Sequence, residues 1–222
     1  MHVRNGVIAL VALAGLAAAA EAGPIYGFSR ITANASTDVA SQLTVEVNDA
    51  GTSMGYQLVD FIFRNEGPSA SSITGVYFAD GTLLGIVQIV DSGSGVSFSQ
   101  GASPANLPGG NAIGFVTTAG FAADSDPPVQ PNGVNPGEWL RIRFALQAGK
   151  DYQDTLDALQ LGLDQGGVTG ALRIGLHVQG IVGGQSDSFV NGTPISVVPL
   201  PTAGAMALAG LGIVARRRRR PL

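Results

Sequence analysis

Trp139-Leu140-Arg141-Ile142-Arg143-Phe144-Ala145-Leu146 is the stretch that decides the fold class. In an extended chain Leu140, Ile142, Phe144 and Leu146 share one side, while Trp139, Arg141 and Arg143 share the other. A strand half buried against a core accounts for that separation. The same period of two returns in Leu172, Ile174, Leu176 and Val178, with Arg173, His177 and Gln179 pointing the other way. It is present again in Leu43, Val45 and Val47. Tyr56 and Leu58 alternate too, and Phe61 and Phe63 follow after an expected one-position phase slip at Val59-Asp60.

Turn residues punctuate these strands. Asp80-Gly81, between Val76-Tyr77-Phe78 and Leu83-Leu84, reads as a hairpin turn, because both central residues of the favoured turn need positive φ. Asn48-Asp49-Ala50-Gly51 is expected to join the two strands around it. One helix is predicted, capped by Asp151, with Tyr152, Leu156 and Leu159 at helical spacing and Gly162 ending it. It would form a short crossover. From Gly101 to Gly137 the chain is rich in Pro, Gly and Asn, although Ile113, Phe115, Val116 and Phe121 call for some packing. The expected architecture is all-β: an antiparallel, two-layer, jelly-roll-like β-sandwich over residues 23–182, with one crossover helix, followed by a linker over 183–197.

The C-terminus is of a different kind. Val198-Pro199-Leu200-Pro201 precedes an uncharged, small-residue run from Thr202 to Ala215, and Arg216, Arg217, Arg218, Arg219 and Arg220 follow. As a helix the fourteen-residue run would span roughly 21 Å at about 1.5 Å per residue, short of the roughly 30 Å of a bilayer core. Such a length alone suits a core or interfacial helix. The arginines favour the cytoplasmic face and snorkel from a thin span, so the segment reads as a transient membrane anchor. Pro199 and Pro201 keep the motif extended and accessible. Motif, apolar helix and arginine cluster over Val198 to Arg220 resemble the PEP-CTERM sorting domain, in the variant reading Val-Pro-Leu-Pro, with Leu200 where the family usually has Glu. The resemblance implies an exosortase-type processing enzyme as partner. Asn65-Glu66-Gly67-Pro68 and the run from Gly175 to Gly180 are similar to bodies found upstream of such signals, without implying an activity.

The N-terminus agrees with export. Arg4, the apolar Val7 to Ala20 and the small-x-small pattern Ala20-Glu21-Ala22 form a signal peptide over residues 1–22, cleaved after Ala22 by signal peptidase once the export machinery has delivered the chain. Between residues 23 and 197 six basic residues face fifteen acidic ones, nine net negative charges, which disfavours nucleic acid or anionic lipid as partner of the body. There is no cysteine, so burial and backbone pairing must hold the fold.

Chemical motifs are sparse. His177 is the one histidine of the body and has neither a neighbouring acid nor a Gly-x-Ser-x-Gly elbow, so a structural role is favoured. No motif demands a cofactor. Asp124-Ser125-Asp126, in the long loop with Asn132 and Asn135 beyond, offers hard oxygens that would suit calcium. Val129 and Asn135 stand where an EF-hand loop needs Gly and Glu, and turn initiation before Pro127-Pro128 is the plainer account. Trp139, the one tryptophan, lies on the side opposite the apolar face, where it could stack on a sugar ring; core or sheet-edge packing is the plainer account. The expectation is an exported, non-enzymatic cell-surface or matrix protein among extracellular polysaccharides. A carbohydrate-binding module using Trp139 and the Gly101 to Gly137 loops is the alternative, and a hydrolase using Asp124, Asp126 or His177 ranks last.

Overall fold

The computed structural model describes residues 23–79, 83–93 and 95–195. The expected signal peptide with Ala20 and Ala22, the residues Asp80-Gly81 and the tail from 196 onward lie outside the described residues. So do Val198 to Pro201, the expected apolar helix and Arg216 to Arg220. Among the described residues no helix is long and apolar enough to cross a membrane.

The strands are β1 (Ile25–Arg30), β2 (Leu43–Ser53), β3 (Tyr56–Asn65), β4 (Ser72–Ala79), β5 (Leu83–Asp91), β6 (Phe98–Gln100), β7 (Ala122–Ser125), β8 (Trp139–Leu146), β9 (Arg173–Ile181) and β10 (Gln185–Ile195). One helix, α1 (Tyr152–Gln165), joins β8 to β9. The strands form one antiparallel sheet in the order β5-β8-β3-β2-β1-β10-β9-β4-β7-β6. Among the described residues the expected all-β antiparallel architecture with one crossover helix is present. Its two facing layers are the halves of one continuous sheet curled into a nearly closed barrel.

Aromatic packing shows the curl. Phe78 on β4 and Phe144 on β8 have five strands between them in the sheet, yet their ring centroids are 4.7 Å apart and meet edge to face. Phe61 lies 5.1 Å from Phe78 and 5.8 Å from Phe144, and Phe121 is 5.3 Å from Phe144. Leu140, Ile142, Phe144 and Leu146 are all buried, as the alternation requires, while Trp139, Arg141 and Arg143 are half-buried on the outer face.

Several local expectations are corrected. The supposed linker over 183–197 contains β10, which pairs with both β1 and β9 in the middle of the sheet. Its buried residues include Asp187, Ser188 and Asn191, so it lacks an apolar stripe; backbone pairing on both sides and Phe189 hold it. Asp80-Gly81 does not close a hairpin, because β4 pairs with β9 and β7 whereas β5 pairs with β8. This connection links the two halves of the sheet. Asn48 to Gly51 lies within β2, at a register irregularity between Asp49 and Thr52. The turn is Met54-Gly55, with φ of 51° and 82°, the positive values a two-residue hairpin loop demands. No phase slip occurs in β3: pairing with β8 is regular from Leu58 to Arg64, and Val59, Phe61 and Phe63 face the core. Asp60 looks outward, where Arg143 donates to it through Nε and Nη2 at 2.6 and 2.7 Å.

Asp151 caps α1 through a capping box with Asp154, as expected. Gly162 does not end the helix, which runs to Gln165. It allows close approach instead, because a Cβ there would overlap the Leu172 carbonyl. The long loop contributes β7 and a short 3-10 turn, Gly110–Ile113, then folds over the outer face of β4 and β9. Leu107 and Phe115 pack there with Tyr77 and Ala122 as a second, smaller core. Asn65 anchors the opposite end: Gln42 Nε2 donates to its Oδ1 at 2.7 Å, and its own Nδ2 donates to the Val134 carbonyl at 3.1 Å. Gly67 is glycine because a Cβ there would overlap Gln42.

Phe78→Ala and Phe144→Ala are each expected to lower unfolding free energy by about 3–5 kcal/mol in denaturant titrations. The double variant should show a coupling of about 0.5–1.5 kcal/mol, since both remove one edge-to-face contact. Met54→Asn should stabilise by about 0.5–1 kcal/mol, because asparagine tolerates the left-handed conformation that methionine is forced into.

Candidate functional site

The four body residues singled out from sequence are dispersed by the fold. Asp124, on β7, lies under the long loop, where its Oδ2 accepts the Ser103 N–H at 2.9 Å. Burial raises its carboxyl above the ordinary range, opposed by that hydrogen bond. Asp126, just past β7, accepts the hydroxyls of Ser97 and Ser99 at 2.6 and 2.8 Å, and these hold its carboxyl below the ordinary range. Each carboxylate is therefore engaged by a different part of the chain. Among the described residues no group of three or more His, Cys, Asp or Glu is placed to hold a metal ion. His177, on the outer face of β9, forms no hydrogen bond to a carboxylate among the described residues, and burial pulls its imidazole below the usual range. Trp139 is half-buried at the start of β8, where its carbonyl accepts the Ser92 N–H at 3.1 Å.

Three surface cavities lie elsewhere, and Trp139 lines none of them. One of about 560 Å³ runs over the outer face of β3, β8 and β5, beside the exposed Met54, Tyr56, Leu84 and Val87. Its one cation, Arg143, is occupied by Asp60. A second, of about 460 Å³, is bounded by Pro68, Pro131 and Pro136 and carries no charged group.

The third, of about 300 Å³, is chemically different because Arg173 lines it. Arg173 opens β9 directly opposite Ala79 on β4, and its stem passes the last turn of α1 at Gly162. The residue is only 8% exposed, so its guanidinium has left most of its water. Nη1 donates to the Ile113 carbonyl at 3.0 Å, and the guanidinium carbon stands 5.5 Å from the Phe115 ring centroid. Among the described residues it forms no ion pair with any carboxylate. Burial lowers its pKa from the ordinary arginine value. Thr118, Val116, Val168 and Thr169 complete the walls, with Gly114, Gly167 and Gly170 narrowing them.

Comparison with family models, with curated proteins and with solved structures returns no match for this chain.

Sequence reasoning put Arg173 on the polar side of a strand without singling it out. Alternation exposed its facing, and the turn-rich Gly166-Gly167-Val168-Thr169-Gly170 run stood just before it. That the long loop would cover this face, turning a surface arginine into a buried one, was not written locally.

His177 supplies a pH test. Its folded pKa lies below the roughly 6.5 of an unfolded histidine, so as pH falls through that value the unfolded chain binds a proton that the folded state refuses. Stability should therefore be full above about pH 7 and decline below about pH 6.5. His177→Gln should flatten unfolding free energy measured from pH 7 to 5.5 relative to the parent.

Proposed function

We propose that this is an exported, non-enzymatic cell-surface or extracellular-matrix protein, delivered by its N-terminal signal and held transiently at the inner membrane by its C-terminal segment. An exosortase-type enzyme then processes it at the Val198-Pro199-Leu200-Pro201 motif. The observation that carries this reading is the order of the tail: extended proline motif, short uncharged run, then five consecutive arginines. The short run favours a temporary hold, since it falls short of a full bilayer span.

Features of the body support the same reading. β10 ends at Ile195, so the last strand reaches to within three residues of the motif. Its fifteen acidic and six basic residues suit a soluble surface protein and not one that coats anionic membranes. The curled sheet belongs, in this proposal, with two-layer jelly-roll-like sandwiches, a common architecture for binding modules. Its work would be binding or structure among extracellular polysaccharides.

Intact-mass measurement of the protein from its native host tests the proposal. The expected product begins after Ala22 and ends before Thr202. A mass that retains Arg216 to Arg220, or a tagged body found in the cytoplasm with both termini intact, would overturn it.

A further inference from the structure

We infer that the Arg173 cavity is a binding site for a monocarboxylate of sugar size, a hexuronic acid that is either free or the terminal residue of a glycan. A buried guanidinium is ordinarily neutralised by a carboxylate, because desolvating a cation without a partner is costly. Arg173 is 8% exposed and has no such partner among the described residues, only the Ile113 carbonyl and the face of Phe115. Arg173 lines the cavity, and its Nη1 lies beside Gly167, another residue of the cavity wall.

The valence of the ligand follows from what surrounds that fork. Among the described residues one guanidinium is the only charged group lining the cavity. The last turn of α1 lies beside it at Gly162, and a helix C-terminus carries partial negative charge. A dianion such as phosphate would meet too little positive charge there. A carboxylate matches both the single charge and the planar, two-pronged donor geometry. The walls fit the remainder of a sugar acid: Val116, Val168 and Ala79 offer apolar surface for ring C–H faces, and Thr169 brings a hydroxyl. At about 300 Å³ the space takes one such ring and not an extended apolar ligand.

This deepens the matrix-protein reading by giving its polysaccharide partner a chemistry, and it rests on that reading only for the source of the ligand. Calorimetric titration of the purified full-length protein with sodium glucuronate and galacturonate, against glucose, acetate and inorganic phosphate, tests it. The hexuronates should bind at one site, with glucose and acetate each weaker by about tenfold or more. Oligouronides that bind no more weakly than the monosaccharide acid would identify a polymer as the source. Arg173→Lys should weaken hexuronate binding about tenfold, since lysine keeps the charge and loses the fork. Val168→Glu, at an exposed position on the cavity wall, should abolish binding without unfolding the chain, by supplying the missing carboxylate. Asp80, which follows Ala79 in sequence, is the rival counter-ion, and Asp80→Asn should leave the affinity unchanged.

Equal binding of glucose and hexuronate, tighter binding of phosphate, or hexuronate binding indifferent to both Arg173→Lys and Val168→Glu would overturn the inference. So would hexuronate binding that emerges only in Asp80→Asn. These outcomes are independent of tail processing, so a failed site and a failed sorting assignment are told apart by calorimetry and intact mass.

Discussion

Closure of the sheet on its own apolar face is the constraint on which the rest of this molecule depends. A ten-stranded antiparallel sheet with, among the described residues, one α-helix, in a chain without cysteine, depends chiefly on burial and backbone pairing to stay folded. Phe61, Phe78, Phe121 and Phe144 satisfy it by meeting edge to face across the interior, although they come from both halves of the sheet. Curling also brings the strands at the two ends of the sheet near one another, which limits the exposed edge that a flat sheet of this length would present.

The outer face of β4 and β9 is a consequence of that geometry. The residues opposite the core there, Gly75, Tyr77, Arg173 and Gly175, would meet solvent in a simple half-buried sheet. Instead the loop after β6 lies across them, with Leu107 against Gly175 and Phe115 beside Arg173. Glycine at 175 is what lets Leu107 approach, since a Cβ would intrude on its methyls. Desolvation of Arg173 thus results from covering an ordinary strand surface with a loop, and the cavity is the part of that surface left uncovered. By contrast, Arg143 on the outer face of β8 meets Asp60 directly across from it, and its charge is settled within the sheet.

How much could be read in advance varied with how local each cause was. Core-facing alternation in β8 and β9 and the Asp151 cap depend on a few neighbouring residues, and they were legible; the Met54-Gly55 turn was not, because methionine does not announce a positive φ. Strand partners were not. Asp80-Gly81 announces a chain reversal without saying whether the returning strand pairs with the one it left, and β4 has other neighbours on both sides. β10 escaped because Asp187, Ser188 and Asn191 break its apolar pattern. Asp187 is buried where it accepts the Asn34 and Ala35 N–H groups at 2.8 and 3.0 Å, partners about 150 residues away in the chain. Asp124 and Asp126 stood out as a motif, but their roles are set by Ser103 on one side and by Ser97 and Ser99 on the other.

By itself the sequence determined the class of fold, the single helix with its start, and the acidic balance of the body, because periodicity, capping and charge are properties of contiguous residues. It also holds the whole basis for the proposed export and sorting, since such signals are linear and would be read as extended chain. Only the tertiary structure decided that the strands form one curled sheet, that β10 lies at its centre, and that Arg173 is left buried without a carboxylate. Those outcomes depend on which distant segment covers which face, and no stretch of the chain carries that information until the sheet has closed.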